Sequence, residues 1–205
     1  MNLGQMIMVT GAIVLLGILV LNANTTVYQA NDTMYTSEFG VTAVSLATSI
    51  VEEAMGKMFD AVVSDSTSPS LMDSTKLTLP ANLGPEPAAN ESYRGYPPLS
   101  GKKDFDDFDD FNNLKICYHS EVPADADATP GFIQITIPGM RAKYYLTCTV
   151  TYVKPPNLDA DYLVRQTWHK KITVTVWSPS AVKINGSGVS VPDTLVYPAI
   201  MSYWN

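Results

Sequence analysis

The sequence predicts an α+β protein in which one long N-terminal α-helix packs on a C-terminal antiparallel β-sheet. Three observations lead to this fold class. Residues 6–21, the apolar segment, form an almost unbroken hydrophobic run, and no charged side chain precedes Asp32. After a polar patch at residues 22–36, residues 41–62 carry apolar side chains at helical spacing. The second half of the chain contains segments rich in β-branched and aromatic residues, which favour strands.

The apolar segment lacks the features that usually accompany such a run. A secretory signal peptide carries a basic region before its apolar stretch and small residues at a cleavage site after it. Here the first Lys or Arg is Lys57. As a helix the segment covers roughly 24 Å, against a hydrocarbon core of about 30 Å. We expect that a basic leader is missing from this numbering and that the apolar segment stays on the working protein.

The helix is predicted to continue to about residue 63 as an amphipathic half. Residues 1–36 are predicted to be a protruding apolar helix, and residues 37–63 to pack on the sheet. Just after the apolar segment, within residues 1–36, lie several poor helix formers, where we expect local unwinding. These residues are Asn22, Asn24, Thr25 and Thr26. The predicted packing stripe consists of Val41, Val44, Ala47, Val51, Ala54, Met55, Met58 and Val62.

Two further regions follow the helix. Residues 64–103 are rich in Pro, Ser and Gly and are predicted to form a long surface loop. Residues 104–205 are predicted to form the antiparallel β domain, with strands at 114–119, 132–137, 142–153, 162–177 and 194–204. Within the third strand Leu146, Cys148 and Val150 alternate with polar residues, so one face packs and the other contacts water.

The net charge, the cysteines and the sequons limit the classes of function that fit the sequence. The net charge of -7 without a basic cluster argues against a nucleic-acid partner. Cys117 and Cys148 are predicted to form a disulfide in an oxidising compartment, with two buried thiols as the alternative. Four Asn-x-Ser/Thr sequons permit surface glycosylation without arguing for it. They lie at Asn24, Asn31, Asn90 and Asn185.

The most unusual local sequence is an acidic and aromatic run at residues 104–111. Phenylalanines occur at every third position, at Phe105, Phe108 and Phe111. We predict a short helical turn whose phenylalanines dock on the core while the aspartates face water. The alternative is a Ca²⁺ site, since several carboxylates in one loop suit a hard cation, although the glycine and distant Glu of an EF-hand are missing. The candidate ligands are Asp104, Asp106, Asp107, Asp109 and Asp110.

An enzyme is not expected. Nucleophilic catalysis needs a base beside a nucleophile. The two histidines, His119 and His169, lie within or beside predicted strands. Cys117 shares a strand face with His119, but no third group orients the pair, so structural roles are predicted. The sequence also lacks phosphate-binding glycine loops and zinc spacings, and no cofactor other than the alternative Ca²⁺ is expected.

The whole pattern resembles the type IV pilin-like superfamily of filament subunits. The resemblance rests on the apolar helix that continues into an amphipathic half, the following sheet, the two cysteines and the acidic and aromatic run. Many bacterial members carry a Glu at the fifth mature position, where this chain has Gln5 if Met1 is the mature end. Cleavage between Gly4 and Gln5 is the other reading frame, and both remain open.

The resemblance implies a structural subunit of an extracellular helical filament. Its partners would be many copies of itself, with an inner-membrane assembly platform and a prepilin peptidase, and it would reside in the inner membrane before assembly at the cell surface. The alternative is a membrane-anchored pseudopilin or binding component of a secretion machine. The predicted self-assembly residues are Met6, Ile7, Val9, Ile13, Val14, Leu16, Ile18, Leu19 and Val20.

Overall fold

The computed structural model describes residues 3–64, 73–86, 91–95, 103–121, 129–184 and 186–203. The chain divides into two compact units, Met1–Val41 and Thr42–Asn205, and each is described by itself. The predicted α+β class is confirmed, with a long apolar N-terminal helix and a sheet on which helix residues pack. The sheet itself is mixed rather than purely antiparallel.

Helix α1 spans Leu3–Met55 without interruption. The local unwinding expected at Asn22–Thr26 does not occur, because these residues are helical like their neighbours. The hydroxyls of Thr25 and Thr26 each donate to the Asn22 carbonyl oxygen at 2.9 Å. These intrahelical bonds satisfy polar side chains that would otherwise compete with helical structure.

The helix ends earlier than predicted. Its last residue is Met55, and Gly56 follows it. Met58 then pairs as a bridge with Asp107: its N–H donates to Asp106 O at 3.2 Å, and Phe108 N–H donates to Met58 O at 2.8 Å. A short helix α2, Ala61–Ser64, follows. Tertiary pairing of the backbone therefore interrupts the predicted helix between Met55 and Ala61.

The packing stripe of the helix is partly the predicted one. Ala47, Val51 and Ala54 are buried as expected. The prediction is wrong for four other members of the stripe, which are exposed: Val41, Val44, Met58 and Val62. In the second unit the stripe consists of small and medium side chains at intervals of three and four residues. They are Ala43, Ala47, Ile50, Val51 and Ala54. These side chains form the buried face of the helix.

The described residues contain eight strands and several short 3₁₀ turns. The turns lie at Ser74–Lys76, Pro80–Asn82, Tyr93–Gly95 and Asp109–Phe111. The strands are β1 Glu91–Ser92, β2 Lys103–Asp104, β3 Lys115–His119, β4 Ile133–Thr136, β5 Tyr144–Lys154, β6 Asn157–Asp161, β7 His169–Ile184 and β8 Ser190–Ser202.

The main sheet has the order β4-β3-β5-β7-β8, and β6 pairs with β5. The prediction of a purely antiparallel sheet is wrong at one edge, because β4 lies parallel to β3. Parallel neighbours need a crossover connection of about a dozen residues, and β3 ends at His119 whereas β4 begins only at Ile133. Strands β1 and β2 form a separate parallel pair.

Three predicted strand boundaries differ clearly from the structure, and one of them is the start of the strand predicted at 194–204, which begins at Ser190. The strand predicted at 162–177 begins at His169 and continues to Ile184, and β6, rich in Asn and Asp, was not predicted. Strand β8 contains Pro192 and Pro198 and occupies a sheet edge. Proline is tolerated there because its missing N–H faces away from the sheet.

The cysteines do not form the predicted disulfide and are two buried free thiols. Cys117 pairs with Tyr145, and Cys148 pairs with Val174. Since side chains alternate along a strand, residues 145 and 148 of β5 face opposite sides of the sheet. Cys117 shares the face of Tyr145, so the sheet itself separates the two sulfur atoms.

Candidate functional site

The apolar segment is exposed along its whole length. All nine predicted self-assembly residues are more than half exposed, from 51% at Ile18 to 66% at Leu19. Among the described residues α1 is the one helix long and apolar enough to cross a membrane, and none of its most apolar window is buried in the protein. The buried core helix of a soluble protein would not share this last property.

The same helix carries two of the four sequons. Asn24 and Asn31 lie on α1 and are exposed. Asn90 and Asn185 lie outside the described residues. Glycosylation at any of the four remains a prediction.

The acidic run folds differently from the prediction. Phe105, Phe108 and Phe111 are buried, as expected. Asp104 and Asp106 face solvent. The expectation that all the aspartates face water is wrong, however, because three of them are completely buried. These are Asp107, Asp109 and Asp110.

Buried aspartate oxygens build the turn that contains them. Asp107 Oδ1 accepts the N–H groups of Asp109 and Asp110 at 2.8 and 3.2 Å. Asp110 Oδ2 accepts the N–H groups of Asp106 and Asp107 at 2.9 and 3.1 Å. Short side chains that bond nearby backbone groups stabilise such turns. Here they also draw the carboxyl groups inward.

Lys170 meets this turn from strand β7 and is itself fully buried. Its ammonium group donates to Phe59 O at 2.7 Å, to Asp60 Oδ2 at 2.8 Å and to Asp109 Oδ1. An ammonium group has three donors, so all of them are used. The ring of Phe59 lies 4.7 Å from the same nitrogen.

Asp60 is fully satisfied. Its Oδ1 accepts Val62 N–H and the Thr78 hydroxyl, each at 3.2 Å. Its Oδ2 accepts Thr78 N–H at 3.0 Å in addition to Lys170. The carboxylate thus joins the end of the helical region, the following loop and β7. Its role is structural.

Four carboxyl oxygens in this region have no hydrogen-bond partner. Each buried aspartate of the turn has one oxygen that accepts hydrogen bonds and a second oxygen that accepts none. One oxygen of Glu86 also has no hydrogen-bond donor. The four atoms are Glu86 Oε2, Asp107 Oδ2, Asp109 Oδ2 and Asp110 Oδ1. Buried polar atoms are normally paired, so four orphaned acceptors in one place require an explanation.

These carboxyl groups converge in two overlapping sets that share Glu86. In each set one oxygen from every member lies within 4.8 Å of the others. One set is Glu86, Asp107 and Asp109, and the other is Glu86, Glu91, Asp106 and Asp110. We call their members the acidic cluster. Of the candidates predicted from sequence, Asp106, Asp107, Asp109 and Asp110 belong to it, whereas Asp104 does not.

Burial and mutual repulsion raise the pKa values in the acidic cluster. Desolvation is the main cause for Glu86, whose pKa rises to about 9. Desolvation also raises the pKa of Asp109 to about 8 despite the opposing effect of Lys170, and that of Asp110 to about 7. The pKa of Asp107 is raised for the same reason. Near neutral pH the bare cluster therefore retains protons.

This titration predicts an unusual pH dependence of stability. Because the folded pKa values exceed the ordinary value near 4, the folded state binds protons that the unfolded state releases. The stabilisation is present below about pH 4 and is lost as pH rises through about 7 to 9. In metal-free buffer we expect the melting temperature to fall by about 5 °C or more between pH 5 and 9. A constant or rising melting temperature over that interval, measured by circular dichroism, would contradict this prediction.

Several members of this site were not predicted, although the sequence contained one usable signal. Ile172, Val174 and Val176 alternate inward along β7, and the same alternation places Lys170 on the inner face. Nothing comparable marked Glu86, Glu91 or Asp60, which reach the site from separate loops. Cys117 and His119, the pair considered for catalysis, are both buried and lie on the same face of β3.

Comparisons of the chain with protein-family models, with curated proteins and with solved structures find no match.

Proposed function

We propose that this protein is a structural subunit of a helical, type IV pilus-like filament and that it polymerises through its apolar segment. One observation carries the proposal: a charge-free helical surface that is apolar on all sides and exposed over its whole length. Removing one leucine-sized side chain from water is worth roughly 1.5–3 kcal/mol. A dozen such side chains require a covering of lipid or protein.

In this function the apolar segment is covered first by lipid and later by protein. Before assembly the apolar segment lies in the inner membrane, and afterwards the segments of many copies cover one another in the filament core at the cell surface. Contacts between copies are then head-to-tail, and head-to-tail contacts that do not close into a ring continue as a helix. An assembly platform and a prepilin peptidase are the partners that this function would need.

The same helix fits a second candidate function. One membrane-spanning helix is sufficient to anchor a pseudopilin or a binding component of a secretion machine that does not form long fibres. This alternative is favoured by the one such helix among the described residues and needs no contact between copies. The two functions differ in the number of copies per assembly.

Electron microscopy of producing cells, with an antibody against this chain, tests the choice. A filament subunit labels fibres at regular intervals along their length. Labelling confined to fibre tips or to the membrane would contradict the proposal and support the anchored component. Mass spectrometry of the N-terminal peptide adds the mature end, which distinguishes Met1 from Gln5.

The glycines of the apolar segment supply a further prediction. A Cβ atom at Gly11 or Gly17 would meet nothing within 4 Å in the chain itself. Gly in a helix interior costs about 1 kcal/mol relative to Ala, so close approach of a neighbouring helix is the function that we assign to them. We expect Gly17→Leu to keep its helix content in detergent and to reduce filament yield at least tenfold.

The matched control for this substitution is Ala23→Leu, which adds similar bulk just beyond the apolar segment. Filament yield can be measured by sedimentation of sheared surface material. Equal yields from Gly17→Leu and the native chain would show that close helix approach is not required at this position.

A further inference from the structure

We propose that copies of this protein contact one another through two parts of the second unit, an exposed loop tip on one copy and a cavity on the next. The loop tip consists of residues 163–165, between β6 and β7. The cavity is bordered by β1, by the turn after it and by the start of β3. This contact rests on the filament function proposed above, and it sets the register in which successive copies assemble.

The loop tip carries an unusual apolar pair. Leu163 and Val164 are the two most exposed large apolar side chains in the described part of the second unit, at 66% and 75%. Single exposed apolar residues are common on protein surfaces, but these two are adjacent in sequence. Arg165 follows them, is exposed, and has no ion-pair partner among the described residues. The tip therefore presents two apolar side chains beside a guanidinium group.

The loop tip is held in place at both ends. Before it, Tyr162 N–H donates to Tyr152 O at 2.7 Å. After it, the Thr167 hydroxyl donates to Val153 O at 2.7 Å. Both acceptors belong to β5, a central strand of the sheet. A loop that is already ordered loses less conformational entropy when it binds, so the tip is prepared for a contact.

The cavity has a volume of about 310 Å³, within the range of roughly 300–1,000 Å³ that is typical of binding pockets. Three of the side chains that line it are almost completely buried, namely Tyr93, Phe105 and Leu114. The rings of Tyr93 and Phe105 pack on each other with their centroids 5.7 Å apart. The cavity therefore exists before any partner binds, and it offers aromatic and aliphatic surface to the apolar pair.

Polar groups of the cavity suit the guanidinium group. The buried hydroxyl of Ser92 lines the cavity and has no hydrogen-bond partner. The other polar lining includes two acids, Glu91 and Asp110, and one lysine, Lys115. Lys115 is exposed and can keep its ammonium group in water. A guanidinium group has five N–H donors, so Arg165 can donate to Ser92 and to Glu91.

The occupant that these features select is a second copy of the chain. The tip is exposed, so it does not fill the cavity of its own copy. A surface projection that fits a cavity elsewhere on the same molecule makes a contact that does not close, and such contacts repeat as a fibre. The tip is too small to supply the roughly 1,200 Å² of a stable interface by itself. It therefore orients copies that the apolar segments hold together.

Cysteine cross-linking of the full chain in producing cells tests this contact. Val164→Cys and Lys115→Cys place thiols on the tip and at the cavity, whereas the native cysteines are buried. With a short bis-maleimide, we expect the double variant to give a ladder of covalent dimers, trimers and larger species. Each single variant should give dimers at most, because it carries only one of the two thiols. Dimers alone from the double variant would indicate a contact that closes and would overturn the proposal.

Electron microscopy of the same cells separates this contact from the filament function. Filaments together with a ladder support both. Filaments without a ladder would overturn the contact between tip and cavity and leave the filament function intact. A ladder without filaments would support the contact and refute the filament, and the absence of both would overturn both.

A charge on the tip should disrupt the contact without affecting the fold. Val164→Glu buries a second carboxylate beside Glu91, so filament yield should fall by about tenfold or more. Its melting temperature in detergent should stay at the native value, because the side chain is exposed. The matched control is Val182→Glu, at a valine of β7 that is 56% exposed, and it should assemble normally. Equal yields from the two variants would contradict the assigned role of the tip.

A paired substitution tests the assigned partner of Arg165. In the double-cysteine variant, Arg165→Glu should reduce the ladder by about tenfold, because like charges then meet in the cavity. Adding Glu91→Gln removes that repulsion and should restore most of the ladder. The glutamine retains an oxygen that can accept Glu86 N–H, which Glu91 accepts at 2.9 Å. A ladder that is not restored would show that Glu91 does not receive Arg165.

Discussion

Replacing Lys170 by Met is expected to lower the free energy of unfolding by about 3–5 kcal/mol, the usual effect of removing one partner of a buried ion pair. The substitution leaves Asp60 with a buried carboxylate and no cation, and it removes the partner of Asp109. Phe59 O also loses its donor at 2.7 Å. For a chain of this size the melting temperature should fall by about 6–20 °C.

Lys171→Met is the matched control. Lys171 is the next residue of the same strand, points to the other face and pairs with Asp161 at 2.7 Å, where Asp161 is about half exposed. An exposed ion pair contributes about 0–1 kcal/mol. Urea denaturation of both variants at pH 7 measures the difference. Equal losses would mean that the Lys170 network does not hold β7 to the loops.

Local sequence patterns predicted the elements of the fold whose environment is uniform. The apolar segment and the stripe at Ala47, Val51 and Ala54 follow helical periodicity, and the alternation of Leu146 and Val150 identifies the packed face of β5. Along each of these elements, the side chains on one face have the same environment over several turns or residues. The spacing of apolar residues in the sequence therefore identifies that face.

Elements set by distant partners were not predictable in this way. The end of α1 depends on the bridge between Met58 and Asp107, which are far apart in sequence. The parallel position of β4 depends on where the crossover places it. The separation of Cys117 from Cys148 depends on register, since one residue of shift in β3 would reverse the face.

The acidic cluster could not be predicted for the same reason, because its members come from distant parts of the sequence. An aspartate-rich run is solvated in most proteins, so the sequence favoured exposure. Burial of Asp107 and Asp109 requires Lys170 from β7 and donors from the turn itself. Glu86 is contributed by another loop. Only the position of Lys170 on the inner face of β7 could be predicted from the local sequence pattern.

The largest effect is expected on deletion of residues 1–36. This change removes the charge-free apolar surface and leaves the second unit, Thr42–Asn205, intact. The side chains of the apolar segment account for a transfer free energy on the order of tens of kcal/mol at roughly 1.5–3 kcal/mol each. The truncated chain should therefore move from the membrane and filament fractions to a soluble monomer, measured by fractionation and analytical ultracentrifugation.

A single charge should reproduce the effect in the full-length chain. Leu16→Lys places an ammonium group in the middle of the apolar segment, where a central charge costs about 2.5–3.5 kcal/mol in a membrane helix. Filament yield should fall at least a hundredfold, because every copy in the filament core carries the same charge. Ser45→Lys, exposed on the same helix outside the apolar segment, should assemble normally. Filaments built from the truncated chain, or from Leu16→Lys at native yield, would place the assembly surface in the second unit and refute the proposed role of the apolar segment.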